Sequence, residues 1–182
     1  MTRPDARKLL LDGVVIFVSL FILTLGSLPY IRANLLQTDE YQFLGMVYNS
    51  KDTNTYFMWM NQASRPGFFL KSSYAAPEEK PRFFNLLWLL LGKLSRFSRV
   101  PPPTIYQAVR LVGGAGLLWL LYRMIIRVFS SKLEQIFSYL LITLGSGFGW
   151  MTFVSEGRLV SKSSADLWMP ESSVFFSLMT FP

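Results

Sequence analysis

The 182-residue chain contains no cysteine and no histidine. The lack of cysteine excludes disulfide frameworks and thiolate metal sites. The lack of histidine excludes His-ligated zinc and nucleophile systems of the Ser-His-Asp or Cys-His type. Any acid–base chemistry therefore falls to Asp, Glu, Lys or Tyr, and only eleven residues are acidic. The scattered carboxylates lack ligand spacing, so they neither establish nor exclude a divalent metal, and no other cofactor is indicated.

Charged residues are also scarce. They make up 16% of the chain while 51% is hydrophobic, whereas a typical soluble domain is about 25% charged. This composition favours membrane helices over a soluble domain. The net charge is +7, but the basic residues concentrate at the ends of hydrophobic segments, as at membrane flanks that face anionic lipid. We therefore expect membrane lipid as a partner and no nucleic acid.

Four hydrophobic segments predict an all-α fold of polytopic membrane helices, with 1–182 forming the amino-terminal part of one membrane domain. The predicted spans are 9–30, 104–129, 133–154 and an incomplete one at 171–182. The first follows a basic start and is longer than the apolar run of a signal peptide, which predicts a retained anchor with a cytoplasmic amino terminus. The last breaks off at Pro182, well short of the roughly 20 residues a span needs, which predicts that the chain continues. The expected location is the plasma or inner membrane.

Residues 31–103 are predicted to form a long extracytoplasmic loop that carries two helical segments. The first has an apolar stripe at i, i+3, i+4 and i+7, formed by Tyr56, Trp59, Met60 and Ala63. The second, from Phe83 to Leu94, has an apolar core too short to cross a bilayer. Its flanking residues, typical of a helix that lies in the membrane interface, are Arg82, Trp88, Lys93, Arg96 and Arg99. The alternative is a pair of ordinary helices in an extracytoplasmic soluble subdomain.

The first of these helices carries a candidate catalytic pair. Asp52-x-x-x-Tyr56 places a carboxylate and a phenol one helical turn apart on the same face. A carboxylate held just outside a membrane could act as a general base on an incoming hydroxyl. Asp52 could instead be the N-cap of the helix, where Asp is favoured, and the two roles are compatible.

The order of short motifs resembles the amino-terminal part of the GT-C superfamily of membrane glycosyltransferases. Its closest look-alikes are the polyprenyl-phosphate-sugar-dependent protein mannosyltransferase and aminoarabinose transferase families. The matching positions, over about residues 9–129, are Asp52, Tyr56, Ala63, Gly67, Lys80-Pro81 before an apolar helix, and Arg110-Leu111 at the second span. Those families often have Asp-Glu at the catalytic position, whereas here Thr53 follows Asp52. The chain's own Asp-Glu pair, Asp39-Glu40, therefore supplies the alternative catalytic carboxylates.

The resemblance implies that a sugar is transferred, with inversion, from a polyprenyl-phosphate-linked donor to an unspecified acceptor at the outer membrane face. Asp52 would be the general base, and Tyr56, Lys80, Arg82, Arg110 and Asp166 would bind substrate. Each of three residues also has an alternative role without substrate. Arg110 could extend its side chain to the membrane surface, Lys80 could be an ordinary surface cation, and Asp166 could be a solvated loop residue. At the level of the whole chain, the alternative is a noncatalytic membrane scaffold, assembly factor or transport component. A transporter is disfavoured because no predicted span carries a central acidic residue.

Overall fold

The computed structural model describes residues 6–47, 50–72, 78, 80–145, 174 and 177–178. The helices with described bounds are α1 (Ala6–Leu35), α2 (Ser50–Ala63), α3 (Leu86–Ser98), α4 (Pro102–Val128) and α5 (Lys132–Leu144). Across those ranges the β-structure amounts to one isolated antiparallel bridge between Leu70 and Phe83. The prediction of an all-α chain is confirmed.

Two helices are long and apolar enough to cross a membrane, judged by length and composition. They are Asp12–Leu35 within α1, with a mean hydropathy of 2.3, and Pro102–Val128, which is α4, with 1.5. Only 28% and 22% of their most apolar windows are buried, which is low for core helices of a soluble protein. Both agree with the predicted spans at 9–30 and 104–129.

The predicted third span differs from the helix that the structure describes. α5 ends at Leu144, so it is about 20 Å long rather than the roughly 30 Å of a span. Gly145 takes an extended backbone, with φ −61° and ψ 127°, and its N–H closes the last turn on the Leu141 carbonyl oxygen. Residues 146–154 and most of 171–182 lie outside the described residues. A third and a fourth span are therefore not confirmed.

The chain divides into two compact units, of which unit 1 comprises residues 1–28 and 110–182. Its core joins α1, α4, α5 and the described residue 178 through Val15, Val18, Ile22, Leu118, Ile125, Tyr139 and Leu178. Polar side chains connect the same helices: the Ser19 and Tyr139 hydroxyl oxygens are 2.7 Å apart, and Tyr122 donates a hydrogen bond to Asp12. Such hydrogen bonds across apolar helices are typical of helix association in membranes.

Unit 2 comprises residues 29–109 and contains the whole of the predicted loop 31–103. It has a core of its own, built by α2, the Leu70 bridge, α3 and the first turns of α4. The buried residues of this core are Met60, Ala63, Leu70, Trp88, Leu89, Leu91, Ile105 and Tyr106. The stripe predicted on α2 is part of this core. Both helical segments predicted within 31–103 are present, as α2 and α3, and they pack on each other. Whether this unit lies outside the membrane stays a prediction.

Local caps set the bounds of α3, which is shifted from the predicted Phe83–Leu94. Asn85 has an extended backbone, and its side-chain oxygen accepts a hydrogen bond from the Trp88 N–H at 3.2 Å. This is an N-cap, so the helix begins at Leu86. Arg99 ends it with φ 58° and ψ 22°, the left-handed conformation that commonly follows a helix.

Candidate functional site

Asp52 is the third residue of α2 and its side chain is exposed. It therefore lies within the first turn rather than at the N-cap, and a carboxylate there interacts favourably with the positive end of the helix dipole. Tyr56 follows one turn later on the same face, as the spacing predicts. α2 thus presents an accessible carboxylate at its amino end.

Stacked aromatic rings hold this helix in place. The Tyr56 and Trp88 ring centroids are 4.4 Å apart at 14°, and the Trp88 and Tyr106 centroids are 6.3 Å apart at 6°. Phe57 adds an edge-on contact to Tyr106 at 5.6 Å. These rings connect α2, α3 and α4. Trp88 is only 7% exposed, so its ring packs in the core of unit 2, and the position of this helix at a membrane interface stays a prediction.

α2 and α3 run parallel within unit 2. Tyr56 contacts Trp88, Met60 and Ala63 lie against Gly92, and Arg96 donates to the carbonyl oxygen of Ser64 at 3.0 Å. Along both helices the contacts advance by about four residues, so the two amino ends lie at the same end of the pair. Gly92 permits the close approach, because a Cβ there would lie 2.6 Å from the Ala63 Cβ and closer still to the Met60 carbonyl oxygen.

Arg110 is buried rather than snorkelling, with 2% of its surface exposed. Its guanidinium donates to the Leu178 carbonyl oxygen at 3.0 Å and to the Ser27 hydroxyl at 3.2 Å. Ser27 in turn donates to the Leu23 carbonyl oxygen at 2.7 Å. Arg110 therefore ties α4 to α1 and to residue 178 within unit 1. Asp52 belongs to unit 2, so joint action of Asp52 and Arg110 stays a prediction.

The remaining predicted site residues are exposed or outside the described part of the chain. Lys80 and Arg82 are exposed ahead of α3, in the same unit as Asp52. Asp39 and Glu40 are exposed in a bend between α1 and α2. Asp166 lies outside the described residues. Within the ranges that were searched, no group of three or more His, Cys, Asp or Glu residues could hold a metal ion.

A group of cations at the other end of the α2–α3 pair was not predicted as a site. Lys93 donates to the Arg65 carbonyl oxygen at 2.6 Å, and Arg96 to that of Ser64, so both occupy carbonyl groups at the end of α2. We call Arg65, Lys93, Arg96 and Arg99 the basic cluster. Beside it lies an open cavity of about 390 Å³, lined by Asn61, Ser64, Ser95, Arg96, Arg99, Val100 and Pro101. The one indication in the sequence was Gly92, because a glycine inside a helix leaves room for a neighbouring element to approach closely. In the structure that neighbour is α2.

No protein-family model, curated protein or solved structure significantly matches this chain. The family resemblance therefore depends on the motifs quoted above. The two candidate spans and the packing of unit 2 do not depend on that resemblance, since both are observed in the structure of this chain.

Proposed function

We propose that this chain belongs to an integral-membrane, inverting glycosyltransferase of the GT-C type. It would transfer a sugar from a polyprenyl-phosphate-linked donor to an acceptor at the outer membrane face. One observation carries the proposal: Asp52 is an exposed carboxylate in the first turn of a helix that stacked aromatic rings hold in place. A general base must be both accessible and held in a fixed position. The order of the motifs supports the class of donor.

The proposed topology places the amino terminus in the cytoplasm, the spans of α1 and α4 across the bilayer, and the predicted loop 31–103 outside. The positive-inside rule supports it, because Arg123, Arg127 and Lys132 flank the short connection after α4. Retention of α1 is supported by its place in the unit 1 core, to which it contributes Val15, Val18 and Ile22.

In the proposed reaction, Asp52 takes the proton of the acceptor hydroxyl as its oxygen attacks the anomeric carbon. The bond from that carbon to the phosphate oxygen of the donor breaks, and the electron pair leaves with the polyprenyl phosphate. Nearby cations would offset the negative charge that grows on the phosphate. Lys80 and Arg82 suit this role, since both are exposed in the unit that holds Asp52. Arg110 has its guanidinium hydrogen-bonded to Ser27 and to the Leu178 carbonyl, which supports a positioning role within unit 1.

Transfer from radiolabelled polyprenyl-phosphate sugars in membranes that contain the full-length protein tests this function. Asp52→Asn keeps the shape of the side chain and removes the base, so we expect transfer to fall by about 100- to 10,000-fold. Asp39→Asn is the matched control and should retain activity. Loss of activity in Asp39→Asn or Glu40→Gln, with Asp52→Asn unaffected, would move the base to that residue. Unchanged transfer in all three variants would refute a carboxylate base in unit 2.

A noncatalytic membrane scaffold or assembly factor is the second candidate. It is favoured by the packing of Tyr56 against Trp88 and by the burial of Arg110, since both side chains then serve the fold. The exposed aromatic residues of unit 2 would contact a partner. The scaffold predicts no transfer by the wild-type protein with any donor of a polyprenyl-phosphate-sugar panel, whereas the enzyme predicts transfer that depends on Asp52.

A further inference from the structure

The outer face of α3 is apolar along its whole length. Five exposed residues form it, and we call them the α3 ridge: Leu86, Leu87, Leu90, Leu94 and Phe97. At 100° per residue they occupy one stripe, opposite the side on which Trp88 and Gly92 pack against α2. Phe97, at the end of the ridge, is 90% exposed. A contiguous apolar surface of this kind marks an interaction site.

The exposure of the ridge resembles that of the candidate span α1. Leu90 is 56% exposed, against 59% for Ile16 and 60% for Leu20. The ridge also ends close to where the second candidate span begins, because only residues 99–101 separate α3 from α4. Four Cα–Cα steps reach at most about 14 Å. The carboxyl end of α3 therefore lies near the level at which α4 would enter a bilayer.

The charges at this end favour an anionic partner. The basic cluster lies at the carboxyl ends of α2 and α3, where Lys93 and Arg96 donate to backbone carbonyl oxygens. Arg65, Arg96 and Arg99 are exposed. The Ser64 and Ser95 hydroxyls in the cavity donate to the carbonyl oxygens of Asn61 and Val100. The cavity lining includes Arg96 and Arg99 and no acidic residue, so its charge is positive. Cationic side chains beside an exposed apolar ridge are complementary to a lipid with a phosphate headgroup.

The backbone of Arg99 provides an independent observation. Its φ of 58° is the only positive φ recorded for a non-glycine residue in the described part of the chain. This position after a helix is usually glycine, since other side chains crowd the backbone there. A strained residue that keeps a guanidinium beside the cavity is a candidate for a binding role.

We propose that the α3 ridge and the basic cluster dock on an anionic phospholipid bilayer, with the ridge among the acyl chains and a lipid phosphate in the cavity beside Arg96 and Arg99. This surface does not depend on sugar transfer. It lies at the opposite end of α2 from Asp52, about 16 Å along the helix. If the transferase proposal fails, the lipid-docking proposal is unaffected. If lipid docking fails, the transferase proposal is unaffected.

Depth measurements on the full chain test the ridge, and the absence of cysteine makes single labelling sites simple to introduce. Nitroxide labels are placed by Leu90→Cys, Phe97→Cys and, as a control on the far side of α2, Asn54→Cys. In nanodiscs of phosphatidylcholine with phosphatidylglycerol, we expect the labels at 90 and 97 to collide mainly with oxygen and the label at 54 mainly with a water-soluble nickel chelate. Equal access of the chelate to all three positions would overturn the proposal.

Titration of the detergent-solubilised chain, followed by native mass spectrometry, tests the headgroup. The probes are short-chain phosphatidylglycerol, phosphatidylcholine and inorganic phosphate, and we expect phosphatidylglycerol to bind best. Arg99→Gly should weaken its binding about fivefold while raising thermal stability, because glycine accepts the left-handed backbone. Arg127→Gln, which removes a cation from unit 1, should change neither. Equal binding of the two lipids, displacement by inorganic phosphate alone, or equal loss in Arg127→Gln would each overturn the site.

Discussion

Replacing Gly92 with alanine tests the parallel packing of α2 on α3, which positions both Asp52 and the α3 ridge. A Cβ at residue 92 would lie 2.6 Å from the Ala63 Cβ and closer to the carbonyl oxygen of Met60. Met60 is 0% exposed and the clashing atom belongs to the backbone, so a rotamer change cannot relieve the contact. The two helices must move apart.

Two opposing effects set the magnitude. Overpacking of this kind costs about 1–3 kcal/mol, whereas alanine is favoured over glycine in a helix interior by about 1 kcal/mol. Gly116 in α4 provides the matched control, because a Cβ there meets nothing within 4 Å. Gly116→Ala should therefore show the helix-propensity gain alone. The difference between the two variants isolates the steric cost, which we expect to be about 1–3 kcal/mol.

Equilibrium unfolding in mixed micelles with increasing sodium dodecyl sulfate measures this difference. Circular dichroism follows total helix, and tryptophan fluorescence adds a local signal because Trp59 and Trp88 lie in the α2–α3 region. Gly92→Ala should unfold at lower detergent fraction than Gly116→Ala. Coincident unfolding curves would refute the close contact between Gly92 and Met60, and with it the register of the two helices.

Two further variants address Arg110. Arg110→Met should destabilise the protein by about 1–3 kcal/mol in the same unfolding assay, because the carbonyl oxygen of buried Leu178 loses this donor. Ser27→Ala removes one acceptor of Arg110 and should cost about 1 kcal/mol. The double variant should cost less than the sum, since the two side chains share a hydrogen bond. Full additivity would contradict that bond.

The spans and the α2 stripe could be predicted because their signals are local in the sequence. A long apolar run needs only composition and length, so the prediction of 104–129 lies within two residues of α4 at each end. The stripe through Met60 and Ala63 repeats at helical spacing, and both residues are buried. Neither feature requires knowledge of a distant neighbour.

The buried side of α3 could not be predicted from periodicity. At 100° per residue the six leucines of this helix fall on the α3 ridge and on the sides next to it, and none falls on the side of Trp88 and Gly92. The apolar pattern therefore points to the α3 ridge rather than to the face that packs on α2. Trp88 was assigned to the membrane interface on composition, whereas its partners Tyr56 and Tyr106 are 32 and 18 residues away. Gly92 was the one signal in the sequence for the packed side.

Hydropathy also missed the end of α5 and the burial of Arg110. An apolar average over 133–154 does not register that Gly145 leaves the helical conformation, although glycine commonly follows a helix. Arg110 was expected to snorkel because it begins an apolar stretch. Its acceptors, Ser27 and the Leu178 carbonyl, are 83 and 68 residues away, and only tertiary structure brings them together.

The geometry of unit 2 links the two proposals through the direction in which Asp52 faces. Asp52 shares a helix face with Tyr56, which packs on Trp88 of α3. One turn before Tyr56 along α2, the corresponding level of α3 lies ahead of its first residue, Leu86. Asp52 is therefore exposed beyond the amino end of α3, on the α3 side of α2.

If the α3 ridge lies in the bilayer, the space beyond the amino end of α3, to which Asp52 is exposed, faces the membrane surface. A lipid-linked sugar and the acceptor would meet there. A nitroxide at Asp52→Cys should then be less accessible to the nickel chelate than one at Asn54→Cys, and more accessible than one at Leu90→Cys. This order of accessibility is expected because α2 would lie farther from the bilayer centre than α3. The axes of packed helices are about 8–10 Å apart. Should positions 52 and 54 be equally accessible while position 90 is immersed, the ridge would stand and Asp52 would face bulk water, which would remove the case for Asp52 as the base.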